Sequence, residues 1–237
     1  MVTPSPDLDW SAEGTPVSRR FGDPYFSREG GLAEARHVFL DGNDLPARFR
    51  DGFRIAELGF GSGLNLLATL AAWRGAGVAG VLHYTAFELA PMAPADMERA
   101  LAPFAGLAGD VPALLAALGR GPGPHDLPGG LRLSLVAGDA RETVPAWAGA
   151  ADAWFLDGFA PARNPEMWGD ALLAAVAGHM APGGTLATYT AAGHVRRALA
   201  AAGVSVERSP GFGRKRHMTR GRRDQGRATG LTVAAGA

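Results

Sequence analysis

Four acids in this chain stand where ligand chemistry needs them: Glu57, Glu88, Asp139 and Asp157. Each ends or follows a short apolar run that reads as a buried strand. The runs are Arg54 to Leu58, Val81 to Glu88, Leu131 to Val136 and Ala153 to Leu156. In an open α/β sheet, ligands bind outside the carboxyl ends of the strands. Any one of these acids is explained as well by a helix cap or a surface charge. Acids at successive strand ends, behind a glycine turn, point instead to a bound cofactor.

The turn runs Gly59-Phe60-Gly61-Ser62-Gly63-Leu64-Asn65, directly after Glu57, and Leu64 to Trp73 has helical apolar spacing. Strand, glycine turn and helix form the first half of a nucleotide-binding βαβ unit. The spacing is G-x-G-x-G. A dinucleotide fingerprint places its third glycine one residue later, and a P-loop needs Gly-Lys-Ser/Thr. A turn without phosphate-binding parts, beside an acid, suits a cofactor with an amino group and no phosphate. S-adenosylmethionine (SAM) meets both conditions. The expected cofactor set is Glu57, Gly59, Gly61, Gly63 and Asn65 around the turn, with Glu88 and Asp139 beyond it. An acid ending the second strand can accept from both ribose hydroxyls, each charge-assisted bond being worth roughly 1.5–3 kcal/mol. Asp139 is placed to border an adenine.

Asp157 opens Asp-Gly-Phe-Ala-Pro-Ala-Arg-Asn-Pro. Such an acidic, proline-containing loop suits methyl transfer to an amine. A primary alkyl amine has a pKa near ~10.4, so only about one molecule in a thousand is nucleophilic at pH 7. A carboxylate can hold the amine, aim its lone pair and help its proton leave. The competing assignment for Asp157 is a cap on the following turn. Phe159 and Pro161 in this loop, and Tyr25-Phe26, are candidates to hold a base by stacking. The histidines show no metal-ligand spacing, and no metal is expected. Trp147, Trp154 and Trp168 read as core.

The elements that carry these residues alternate. Residues 1–20 have little apolar periodicity and read as a loose arm. Leu32 to Leu40 looks helical, with Glu34 and Arg36 outward. Helices are expected over Ala95 to Phe104, Val111 to Leu118, Pro165 to Met180 and Val195 to Ala202. Gly119 to Gly130 reads as an inserted loop, and Pro182-Gly183-Gly184 as a helix stop. Thr185 to Tyr189, Val204 to Arg208 and His217 to Arg220 complete seven strands. The pattern predicts an α/β, Rossmann-like, mostly parallel sheet covered on both faces. It forms a domain over residues 21–222, with a basic flexible tail over 223–237.

Composition sets limits. The 237 residues suffice for one full α/β core, and formal net charge is zero. Basic residues crowd from Arg214 to Arg227, a segment able to touch nucleic acid or to be a solvated tail. Lys215 is the one lysine in an arginine-rich chain, and cysteine is absent. That removes disulfides and thiolate chemistry and suits the cytoplasm. Neither a signal peptide nor a run long enough to span a membrane is visible.

Several runs together resemble the methyltransferase domain of the tRNA-modifying MnmC family. They are Tyr25-Phe26-Ser27, Gly31 to Leu40, Gly59 to Asn65, Asp152 to Pro165 and Gly211-Phe212-Gly213-Arg214-Lys215-Arg216. The resemblance extends from about Phe21 to Arg220. The glycine turn is shared by many SAM enzymes, whereas the Asp157 loop and the Gly211–Arg216 run are specific. The resemblance implies a class I SAM-dependent methyltransferase. Its substrate would be 5-aminomethyl-2-thiouridine at a tRNA wobble position, in the anticodon loop. It further implies that Asp157 lies nearest the amine and that Glu88 and Asp139 hold the nucleoside of SAM. Arg214, Lys215 and Arg216 are the expected RNA contacts.

The bifunctional relatives carry a flavin-dependent oxidoreductase domain that has no counterpart here, so no flavin is expected. The free amine would come from a separate flavoprotein or from the enzymes that install the wobble side chain. The alternatives are a SAM-dependent methyltransferase for another small amine, a nicotinamide dehydrogenase, and a non-catalytic RNA-binding subunit on the same scaffold.

Overall fold

The computed structural model of the chain describes residues 5–27 and 30–225. Its centre is strand β4 (Arg54–Leu58), whose last four residues are buried. β4 pairs in parallel with β5 (Leu82–Glu88) on one side and β8 (Ala151–Leu156) on the other. Beyond β5 comes β7 (Leu131–Ala137), and beyond β8 comes β9 (Met180–Thr188), both parallel. The sequence turns outward in opposite directions from β4, which leaves a crevice at its carboxyl end.

Strand alternation divides the core. Ile55 and Phe155 pack on one face of the sheet, while Ala56, Leu58, Trp154 and Leu156 pack on the other. By the same period Glu57 belongs to the Ile55 face, a carboxylate among apolar side chains. That face is covered by α2 (Leu64–Ala76), whose Leu66, Leu67 and Leu70 are buried. α6 (Asp170–Gly178) and α7 (Gly193–Ala201) supply Leu173, Val176 and Leu199 to the other face.

The mostly parallel sheet is as expected, but among the described residues it has eight strands, not seven. The extra strand is β6 (Pro124–Leu127), antiparallel to β7, within the expected 119–130 loop. Its proline opens an edge strand, where a missing N–H is harmless, and Leu127 is buried. At the opposite edge β10 (Val204–Pro210) and β11 (His217–Arg223) form a hairpin, with β11 antiparallel to β9.

Other expectations need correction. Pro182-Gly183-Gly184 lies inside β9, where the register against β8 shifts between Ala151 and Ala153. A Cβ on Gly184 would lie 3.1 Å from the Ala151 carbonyl oxygen and 2.8 Å from that of Ala181, so glycine permits the irregularity. The helix expected from Pro165 breaks at Gly169, which is extended (φ −73°, ψ 150°). A 3-10 turn, Pro165–Trp168, precedes the break.

Residues 1–20 are not a loose arm where they are described. β1 (Leu8–Trp10), β2 (Pro16–Ser18) and β3 (Asp23–Pro24) form a small antiparallel sheet. Leu8 and Trp10 pack against the core, and the Arg99 guanidinium lies 3.9 Å from the Trp10 ring centroid. The expected tail boundary also moves. Arg223 is in β11 and donates to the carbonyls of Ala177, Gly178 and Met180 at 3.1, 3.1 and 2.6 Å. The rest of the expected tail, from 226 onward, lies outside the described residues. Among the described residues no helix is long and apolar enough to cross a membrane.

Candidate active site

A cavity of about 400 Å³ opens at the carboxyl ends of β4, β5, β7 and β8. Gly59 makes the crossing of strand ends possible. Its φ is +80°, and a Cβ there would stand 2.2 Å from the Asp157 carbonyl oxygen. Its N–H donates to the Phe87 carbonyl, while Asp157 N–H donates to that of Leu58. Gly61 also lines the cavity, and its N–H donates to Glu88 Oε2 at 3.0 Å.

Gly63 has another task. It precedes α2 and does not line the cavity; a Cβ would come within 2.9 Å of Leu114. Helix packing accounts for a glycine at this position.

Glu88 lines the cavity and accepts a second backbone N–H, from Ala90, at 2.9 Å. Burial raises its pKa, and the surrounding backbone N–H groups oppose that rise. Asp139 lines the cavity at the start of α5 (Ala140–Ala146) and accepts from Arg141 N–H at 2.9 Å. The Arg141 guanidinium also grips both its oxygens, which holds its pKa below the usual carboxylate range. Arg141 reaches Glu166 at 3.3 Å as well, tying α5 to the Pro165 turn.

Asp157 and Asn65 both line the cavity, and Asn65 Nδ2 lies 2.7 Å from Asp157 Oδ2. Burial raises the Asp157 carboxyl to about 7; the Asn65 hydrogen bond and Lys215 oppose the rise, and Glu34 adds to it. Glu57 is fully buried and does not line the cavity. The β4 pleat points it beneath α2, where Asn65 Nδ2 and Tyr84 OH donate to it at 2.7 and 2.9 Å.

Sequence reasoning missed a further carboxylate of the cavity. Glu34, on α1 (Gly31–Ala35), faces the cavity, not outward, and is 9% exposed. It accepts from Ser27 Oγ and, at 2.7 Å, from Lys215 Nζ. Lys215 Nζ also stands 4.1 Å from the centroid of Tyr189. Tyr189 OH donates to Gly158 O at 2.6 Å, fixing the loop behind Asp157. The signal for Glu34 was present only in the Gly31–Leu40 run that carried the resemblance.

Aromatic side chains form one wall of the cavity. Phe159 stacks on Phe21 with centroids 4.8 Å apart and meets Tyr25 edge-on at 5.1 Å. Tyr25, Phe26 and Phe159 all line the cavity. Asp23 Oδ2 accepts from Ala160 N–H at 2.9 Å, so the N-terminal sheet anchors the Asp157 loop. Pro161, Arg214 and Arg216 do not line the cavity; the two arginines are exposed on the β10–β11 turn, and Lys215 alone of that run reaches inward. Among the described residues no group of three or more His, Cys, Asp or Glu could hold a metal ion.

These residues fit SAM. Gly59 and Gly61 leave backbone bare at the turn, Glu88 and Asp139 lie beyond it, and the acids suit a cofactor carrying an ammonium and a sulfonium. Fold and site define a class I SAM-dependent methyltransferase. A family model described as S-adenosyl-L-methionine-dependent methyltransferase matches residues 124–224. The tRNA 5-methylaminomethyl-2-thiouridine biosynthesis bifunctional protein MnmC of Stutzerimonas stutzeri is 46% identical over 228 residues, 91% of this chain and 34% of that protein. The protein of the same name from Caulobacter vibrioides is 50% identical over 222 residues, 91% of this chain and 37% of that one. The crystal structure of MNMC2 from Aquifex aeolicus superposes with a TM-score of 0.71 at 25% identity, covering 94% of this chain and 71% of that chain. Over 91% of its length the chain is similar to part of these MnmC proteins, and it carries a match to a SAM-dependent methyltransferase family. It spans about a third of the length of these curated relatives, 34% and 37%.

Proposed function

We propose that this chain transfers a methyl group from SAM to the primary amine of 5-aminomethyl-2-thiouridine at the tRNA wobble position, giving the 5-methylaminomethyl nucleoside. The observation that carries the reading is Asp157. Its carboxylate lines the cavity, held through one oxygen by Asn65, beside the aromatic wall of Phe159 and Tyr25. The relatives' names supply the substrate class.

SAM supplies a methyl group on a sulfonium sulfur, open to attack by a lone pair. Glu88, Asp139 and the Gly59–Gly61 backbone would hold it. Asp157 Oδ1 accepts an N–H of the incoming amine, takes up the proton that an ammonium must lose, and aims the lone pair. Phe159 and Tyr25 stack the base and keep water out. Arg214 and Arg216, exposed beside the cavity-facing Lys215, contact phosphates.

The reaction consumes a free amine. Releasing that amine from a carboxymethylaminomethyl group is an oxidation, which needs an electron acceptor such as flavin. A separate flavin-dependent oxidoreductase, or the enzymes that install the side chain, supply the amine, and the work is done in the cytoplasm with tRNA.

The test is labelled methyl transfer from SAM to tRNA lacking this modification, followed by nucleoside mass spectrometry. Label in the methylaminomethyl nucleoside is expected. Transfer to free amines but not to tRNA would assign the chain to small-amine methylation. SAM and tRNA binding without transfer would assign it to RNA binding.

A further inference from the structure

Among the described carboxylates Glu57 alone has no exposed surface. It is joined to the cavity through one side chain. Asn65 Nδ2 is 2.7 Å from Glu57 Oε1 and 2.7 Å from Asp157 Oδ2. A carboxamide has two N–H bonds on one nitrogen, and here each carboxylate takes one. On the far side, Tyr84, itself fully buried, has its hydroxyl 2.9 Å from Glu57 Oε2. The chain of contacts is Tyr84, Glu57, Asn65, Asp157. Turning the Asn65 amide over would aim its oxygen at two acids, so Glu57 fixes its orientation.

We propose that Glu57 is a positioning residue: through Asn65 it fixes which oxygen of Asp157 meets the methyl-accepting amine, and it does not bind the cofactor. The proposal rests on Asp157 being the group that holds the amine. With Oδ2 committed to Asn65, Oδ1 is left for the substrate. A free carboxylate rotates between two equivalent oxygens; this one is indexed.

The surroundings of Glu57 favour its protonated form. Burial first, and the Asp157 charge second, hold its carboxyl well above the usual range. Oε1 accepts from Asn65 and Oε2 accepts from the Tyr84 hydroxyl. Protonation of Glu57 relieves the repulsion between the two carboxyl groups across Asn65. The other titratable groups acting on Asp157 are Glu34 on α1, Glu88 and Tyr84 on β5, Tyr189 just after β9, and Lys215 on the hairpin turn.

Four variants test this: Asp157→Ala, Asn65→Ala, Glu57→Leu and Glu57→Gln. Readouts are SAM affinity by calorimetry, kcat and KM for tRNA, and the acid limb of the pH–rate profile. Glu57→Leu and Asn65→Ala should lose kcat by on the order of a hundredfold, as small misplacements of a reacting group do. Glu57→Leu should leave SAM affinity unchanged, and both should move the acid limb.

Glu57→Gln has the shape of the neutral acid. It should recover kcat to within about threefold and restore the limb, which a general loss of packing would not predict. If Glu57→Leu does not fold, Asn65→Ala and Glu57→Gln still decide. Weakened SAM binding in Glu57→Gln, or a wild-type kcat and acid limb in Asn65→Ala, overturns the proposal. Asp157→Ala separates the two levels. Wild-type turnover there defeats the assignment of Asp157 itself, whereas lost turnover there with wild-type Asn65→Ala defeats the positioning role alone.

Discussion

Lys215 Nζ lies 2.7 Å from Glu34 Oε1, so the one lysine of the chain joins the β10–β11 turn to α1 across the edge of the cavity. Every other basic side chain besides histidine is arginine. A compact ammonium fits between the Glu34 carboxylate and the Tyr189 face, where a planar guanidinium has a different reach. Lys215 also opposes the rise in the Asp157 pKa. In Lys215→Ala the acid limb of kcat/KM should therefore move to higher pH, with a loss of turnover. Lys215→Arg should keep the limb in place. A pH–rate series on the three proteins checks this, and an unmoved limb in Lys215→Ala refutes it.

The Asp157 carboxyl, raised to about 7, carries a second consequence. A folded-state pKa above the unfolded one means that the folded chain binds the proton more tightly. The stabilisation is present below the unfolded value, near 3.9, and is lost as pH rises through about 7. Asp157→Asn removes the buried charge and the titration. Its Tm should exceed that of the wild type at pH 8, with the gap shrinking towards pH 5, while turnover falls. Thermal unfolding at both pH values decides it; an equal gap at both would place the raised pKa elsewhere.

Glu88→Ala should weaken SAM binding several-fold or more. It removes the cavity carboxylate and leaves Gly61 N–H without its partner. Far-ultraviolet circular dichroism should show the fold retained, and calorimetry gives the affinity. Equal affinities in the two proteins would remove Glu88 from the cofactor site.

The basic end divides into two jobs. Arg214 and Arg216 are exposed, whereas Arg220 donates to Gly42 O at 2.7 Å and pairs with Asp44. Arg222 also reaches Asp44, at 3.3 Å. Replacing Arg214 and Arg216 together should weaken tRNA binding. It should also flatten the salt dependence by roughly 0.7–0.9 log units per lost phosphate contact. Arg223→Ala should instead cost about 1–3 kcal/mol of stability, because it leaves three carbonyls without their donor. An unchanged salt slope in the first variant would make that turn a solvated surface.

β4 and α4 (Val111–Leu118) fall where the sequence places them, because apolar runs and glycine or proline boundaries are local signals. The glycine turn, the Asp157 loop and the aromatic residues were legible for the same reason: their chemistry is written in neighbouring residues. Direction and partnership were not. Glu57 and Gly59 adjoin one turn, yet the strand pleat sends Glu57 under α2 and leaves Gly59 at the cavity. Glu34 turns inward because its partner Lys215 is 181 residues away. Arg223 is structural because it reaches carbonyls 43 to 46 residues back. The sequence by itself determined the strand–turn–helix unit and the types of residue available at the site. Only the tertiary structure decided that Asp157 lines the cavity and that Glu57 stands behind it, since that depends on burial and on hydrogen-bond partners that folding alone brings together.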